Sequence, residues 1–271
     1  MERFLLLKGN PHTDPEKIKI CTRRFALVCV MKTPYYRHNK VFKWGLKATK
    51  FQNIIFLNFS EPGEVFKEER QPTPYAKQHF KFQQHCFTDT PIADAVNTSV
   101  NETEMFYIYQ ASMKNFDIIY SAEALGIISQ TEISDVRNIL KLNTHRFVTT
   151  KILSDKSQIL MSYSYSLKLW LQCNLMGATD ICIGYNDGNG YVTHYNMIRA
   201  NDLIGFQNWN PYRGTKFLLE FLTHIKENLS SIDCPYTVAE YQYDPLKKSV
   251  IYKIHHGKTN HSFLSNEFID E

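Results

Sequence analysis

The sequence predicts a mixed α/β or α+β fold, on three observations. Apolar, β-branched runs of strand length outnumber amphipathic helical patterns, the two clear helical patterns fall between strands, and "NDGNG" between two apolar runs is a hairpin signal. In chain order, "RRFALVCVM" (23–31) and "FQNIIFLNF" (51–59) read as buried strands, the second stopped by "SEPGE". "EMFYIYQAS" and "FDIIYSAEALGII", separated by "MKN", read as an antiparallel pair. A more polar piece, "QTEISDVRNILKLNTH", then leads into the strand pattern "RFVTTKIL". In "SYSYSLKLWLQCNLMG" the residues Leu167, Trp170, Leu171 and Leu175 make a helical stripe, with Gly177 where a C-terminal cap belongs. That stripe assigns Trp170 and Leu171 to packing. "ICIGY" and "YVTHY" flank the hairpin turn, "GTKFLLEFLTHIKENL" is a second amphipathic helix, and "YTVAEYQY" with "SVIYKIHH" forms a closing strand pair.

A chain of 271 residues with 43% hydrophobic content can bury a large core, and no linker-like tract divides it, so a single domain over 1–271 is expected. The first residues, "MERFLLLKGN", hold too short an apolar run for a signal peptide, and eighteen apolar residues never run together; a soluble, unsecreted protein is expected. The cysteines, Cys21, Cys29, Cys86, Cys173, Cys182 and Cys234, show no CxxC spacing and read as reduced, mostly buried thiols.

Charge is uneven. Residues 1–50 carry twelve Lys/Arg against three Asp/Glu, a net +9, whereas the remainder, nineteen against twenty-four, sums to −5. This fits a nucleic-acid footprint, though an ordinary solvated surface or an intramolecular partner for the acidic remainder is the plainer reading of composition alone.

Within "IIYSAEALGII" a single carboxylate, Glu123, interrupts an apolar run, where burial demands a cation, a metal or hydrogen-bond donors. Lys151 makes a similar interruption in "RFVTTKIL". Metal-dependent nucleases of the PD-(D/E)xK type present such residues on neighbouring strands, where carboxylates hold the ion and the Lys positions the attacking water. A Glu123–Lys151 salt bridge is the plainer reading of the same pair. Flanking motifs add to this. "SLKLWLQCNLMGATDICIGYNDGNGYVTHY", then "NWNP" and "KFLLEFL", and upstream "KTPYYR" and "KATKFQNIIFLNFSEP", keep the order of motifs in the DXO family of decapping exoribonucleases. The chain resembles that family from about residue 20 to about residue 260.

The resemblance implies a DXO-like α/β fold of two mixed β-sheets packed together with flanking helices. It also implies a metal-dependent site, loaded with Mg or Mn in the family, acting on RNA 5′ ends. Carried over residue by residue, Arg37 matches an RNA-phosphate contact and Gln172 an active-site Gln. Gln83 stands for a metal-binding Glu at the end of "HFKFQ", where His79 replaces a Gly. Glu123 is kept while Leu125 replaces the Asp of Glu-x-Asp, and Lys151 is kept while Thr149 replaces the Glu of Glu-x-Lys. One carboxylate of four remains, so the expectation is a degenerate member with no functional catalytic set and no metal cofactor. RNA binding is then expected through Arg37, Lys151 and Gln172. A carboxylate-poor branch of the family acts in the germline piRNA pathway. For such a member the resemblance implies a nuclear protein whose partners are an RNA 5′ end and proteins such as the chromatin reader Rhino and the adaptor Deadlock. A residual metal-dependent hydrolase and a pure interaction scaffold stand as alternatives.

Two further features carry less. His79, His85, His255 and His256 have no Cys or carboxylate cluster at matching spacing and read as structural or surface groups. "PYYRHNKVFKW" interleaves aromatics with bases, as single-strand binders do, but a strand edge with packed tyrosines looks the same.

Overall fold

The computed structural model describes residues 16–36, 42–60, 74–88, 106–135, 138–154, 162–205 and 209–270. The chain forms two compact units, Met1–Lys67 with Phe106–Ala122 and Pro211–Glu271, and Glu68–Met105 with Glu123–Asn210. Each holds one mixed sheet with flanking helices, in line with the α/β expectation.

The first unit is built on seven strands: β1 (Ile18–Arg23), β2 (Trp44–Phe51), β3 (Ile54–Ser60), β4 (Phe106–Met113), β5 (Phe116–Glu123), β10 (Cys234–Asp244) and β11 (Ser249–His255), in the order β11-β10-β2-β3-β1-β5-β4. β1 runs parallel to both β3 and β5, while β2, β10 and β11 add antiparallel pairs. Its two longer helices are α1 (Arg24–Lys32) and α6 (Tyr212–Asn228). A cluster of Cys21, Ile54, Phe56, Ile119, Leu264 and Phe268 fills part of its core. Elsewhere Trp44 packs edge-on against Phe221 and stacks on Tyr243.

The second unit carries β6 (Gly126–Ile128), β7 (Arg146–Ser154), β8 (Asp180–Asn186) and β9 (Val192–Arg199), in that order across the sheet. β6 and β9 are antiparallel to their neighbours, and β7 and β8 are parallel. Parallel neighbours need a crossover, here supplied by α4 (Tyr163–Met176). α4 ends as the spacing predicts: Gly177 takes a left-handed conformation, φ +71, which frees its N–H to bond the last turn. α2 (Pro74–Cys86) lies against β7, and α3 (Ile139–Leu142) and α5 (Asp202–Gly205) are short.

Three elements differ from the sequence reading. The run at 23–31 is the helix α1, not a strand; Ala26 to Met31 are all buried, and an apolar run buried on every side has no periodicity to separate the two. A tight turn over Thr33–Tyr35, with Pro34 in its first positions, then ends it. The run at 51–59 is a hairpin in which Gln52 (φ 51) and Asn53 (φ 60) turn β2 into β3, the left-handed pair that two-residue hairpins need. "FDIIYSAEALGII" is two strands in two sheets: β5 stops at Glu123 and β6 begins at Gly126. β4 and β5 are neighbours as expected, joined across residues 114–115.

Trp170 and Leu171 are buried, and no disulfide joins the cysteines, of which Cys21, Cys29, Cys173 and Cys182 are buried. Of the aromatic-basic stretch, Trp44 is buried with its indole N–H donated to Thr33 Oγ1. The Tyr35 hydroxyl bonds Pro211 O and Gly214 N, so these rings pack. Lys32 lies over the rings of Tyr36 and Phe42. Among the described residues no helix is long and apolar enough to cross a membrane.

Candidate functional site

All the matched motif residues except Arg37 belong to the second unit; Arg37 lies outside the described residues. β7 is their platform. Thr149 and Lys151 alternate along it with Val148, Thr150 and Ile152, which point to the other face. β6 runs antiparallel to β7 with Gly126 opposite Val148 and Ile127 opposite Phe147. Glu123 is the last residue of β5, and Leu125 lies in the two-residue link between β5 and β6. The β6–β7 pairing begins one residue after Leu125 and ends one residue before Thr149, positions 24 residues apart in the chain.

α2 covers the alternate face. Phe82 packs with Val148, Ile152 and Cys182, and its ring rests on Gly184 of β8, where a Cβ would come within 2.8 Å of it. One turn earlier, His79 Nε2 lies 3.1 Å from Thr150 O and 3.2 Å from Thr150 Oγ1; facing a carbonyl, that nitrogen must carry the proton. Burial, then the Lys151 charge, pushes the His79 imidazole below its usual range, against the opposing effects of the Thr150 carbonyl and Glu123. His79, Lys151 and Glu123 therefore share one electrostatic neighbourhood. His79 is a hydrogen-bonded structural group there, as its lack of clustered partners in sequence suggested. Gln83 sits one turn further along α2, half-buried, and Gln172 is half-buried on the crossover helix α4.

The donor set at these positions is poor in charge. Glu123 offers a carboxylate, Gln83 an amide oxygen, the largely buried Thr149 a hydroxyl, and Leu125 nothing. Two divalent ions clamping a phosphodiester need several anionic oxygens, so these residues do not fit a two-ion centre. Of the other groups, Lys151 is a cation, and Gln172 and Gln83 carry amide donors.

A strong ionic cluster in the same unit was not evident from sequence. Asp180, at the start of β8 and 2% exposed, accepts from Arg146 through two nitrogens, from Thr179 Oγ1 at 2.6 Å and from Arg199. Burial works to raise its carboxyl, but the bonds from Arg146 and Thr179 and the two guanidinium charges outweigh it and hold Asp180 below the usual range. The three charged residues come from the ends of adjacent strands, β7, β8 and β9, a proximity with no spacing signature.

Over residues 3–269 the chain matches the model of the RAI1-like PD-(D/E)XK nucleases. It belongs to that family. It is 20% identical to Protein cutoff of Drosophila melanogaster over 98% of its own length and 69% of that protein's. Identity to the Decapping and exoribonuclease protein Rai1 of the same species is 27%, over 86% of this chain and 63% of Rai1. The chain thus spans about two thirds of these relatives. Among solved structures, Candida albicans Rai1 in complex with pU5 and Mn2+ superposes with a TM-score of 0.71 at 14% identity, covering 99% of this chain and 77% of Rai1. The shared fold confirms the two mixed sheets expected from the motifs.

Proposed function

We propose that this RAI1-like chain binds RNA 5′ ends without hydrolysing them. The observation that supports the reading is the donor set: Leu125 and Thr149, two groups without charge, stand at motif positions, while the retained Glu123 and Lys151 both act electrostatically on the His79 imidazole. Water keeps its ordinary acidity where no ion pair activates it, while a cation and amide donors still suit a 5′ phosphate. Lys151, Gln172 and Arg37 are the proposed RNA contacts, and no Mg or Mn cofactor is proposed at these motif positions. The pU5 bound to Candida albicans Rai1 supports an RNA end as the ligand class. Likeness to Cutoff along nearly the whole chain supports placing this protein in the nucleus, at nascent piRNA-precursor transcripts in the germline. If it acts as Cutoff does, it would shield those transcripts from processing, decay or termination with Rhino and Deadlock as partners.

The test uses 5′-monophosphate RNA with Mn2+ or Mg2+, following anisotropy and RNA length together. Saturable binding with RNA of unchanged length is expected, weakened several-fold by Lys151→Ala and by Arg37→Ala. Shortening of the RNA that disappears in Glu123→Ala overturns the reading in favour of a residual hydrolase. Absent RNA affinity, with a protein partner captured instead, overturns it in favour of a scaffold.

A further inference from the structure

Histidines that look unrelated in sequence converge in the first unit. Glu240 lies mid-way along β10, His255 is the last residue of β11, and His261 sits in the turn that follows. Glu240 Oε2 is 3.3 Å from His255 Nε2 and 3.6 Å from His261 Nδ1, and the three donor atoms lie within 4.8 Å of one another. The expectation that His255 lacks a matching cluster is therefore overturned, because the hairpin and the turn close distances that the sequence leaves at 15 and 21 residues from Glu240.

His261 Nδ1 is buried and makes no hydrogen bond, a costly arrangement for a polar atom directed at a carboxylate and a second imidazole. The two rings stack, centroids 3.7 Å apart at 15°, which suits neutral imidazoles and not two imidazolium ions. Burial, then the neighbouring His255, pushes His261 below its usual range.

We propose that Glu240, His255 and His261 form a binding site for a borderline transition cation of the zinc class. Two imidazoles and one carboxylate with a fourth position open is a common zinc donor set, and ligation at 2.0–2.1 Å draws the donors to about 3.3 Å apart by opening the stack slightly. The neighbours choose between cations. Lys47 and Lys253 stand directly opposite Glu240 on the two flanking strands and offset its charge. Attraction for a hard ion such as Mg2+ is thereby reduced, whereas imidazole nitrogens retain their preference for zinc. The bound ion ties the turn at 259–262 to β10 and β11. That turn leads directly to Phe263, Leu264 and Phe268 in the core cluster, so zinc stabilises the C-terminal packing of the unit. The site is independent of the RNA-end reading.

The test is titration of tag-free full-length protein, thiols kept reduced, with ZnCl2, MgCl2 and CoCl2. One equivalent of Zn2+ is expected to bind and raise Tm, with Mg2+ inert at the same concentration. Co2+ is expected to give the visible spectrum of a nitrogen-oxygen site. His261→Ala and Glu240→Gln should each weaken Zn2+ by more than the about 10–100-fold that losing an outer-shell partner costs. Should either variant fail to fold, histidine 15N shifts of the wild-type protein decide the matter: Zn2+ must move His255 and His261. Absence of saturable Zn2+ binding, unchanged binding in the variants, unmoved histidine shifts, or a sulfur-to-cobalt charge-transfer band would overturn the proposal.

Discussion

At the scale of single residues, Asp180 is the clearest case of a charge whose burial is compensated. Its carboxylate is 2% exposed, while Arg146 and Arg199 are about half exposed, so the guanidiniums stay partly hydrated. Asp180→Asn keeps the shape and loses the charged bonds, an expected loss of about 1.5–3 kcal/mol at pH 7 in urea unfolding. Its folded-state carboxyl is held below the ordinary value of about 3.9, so this stability is complete above that pH and is lost as pH falls through the folded value. The difference between wild type and variant should therefore shrink only below about pH 4. A gap that closes near neutral pH would contradict this origin. The degenerate motif yields a second expectation. Leu125→Asp with Thr149→Glu and Gln83→Glu restores three carboxylates beside Glu123 and should raise Mn2+ affinity by calorimetry; unchanged affinity would show that His79 and the packing of α2 block the site as well. His79 and Gln83 were legible by alignment to a motif. Asp180 was not, because an ion cluster spread over three strand ends leaves no periodic trace.

At the scale of elements, α2 governs the environment of β7. It is held by Phe82 lying over Gly184, a position where a side chain would drive the ring off the sheet. Gly184→Val should destabilise by about 1–3 kcal/mol through overpacking. It should also change the His79 chemical shifts, since His79 sits one turn along the same helix. A stability loss without any His79 response would mean that α2 is not held as a rigid body. α2 was not anticipated from sequence, although "HFKFQ" was singled out. α1 was taken for a strand because burial on every side erases its helical period. The pieces with clear periodicity, α4, α6 and the β8–β9 hairpin, formed where expected.

At the scale of the whole molecule, the chain passes between its two units four times, at residues 67/68, 105/106, 122/123 and 210/211. Neither unit is a contiguous segment, so we propose a single domain over 1–271 that unfolds in one transition. Tryptophan fluorescence and far-ultraviolet circular dichroism should then report coincident midpoints, and separated midpoints would refute it. Trp44 probes the first unit, and Trp170 with Trp209 the second. The net +9 of residues 1–50 adds a further expectation: RNA affinity should fall steeply with salt, with a log–log slope near −0.7 per phosphate neutralised. A flat dependence would assign that charge to an intramolecular role.

By itself the sequence determined the α/β composition, the elements with clean periodicity, the ordered family motifs and the missing carboxylates, since these are properties of spacing and residue type. Only the tertiary structure decided that one apolar run divides between two sheets. It likewise decided that Lys151 and Glu123 share the neighbourhood of His79, that Asp180 is ringed by two arginines, and that Glu240, His255 and His261 share one point. Register and hairpin closure bring these groups together, and both depend on long-range backbone pairing that no local window of residues encodes.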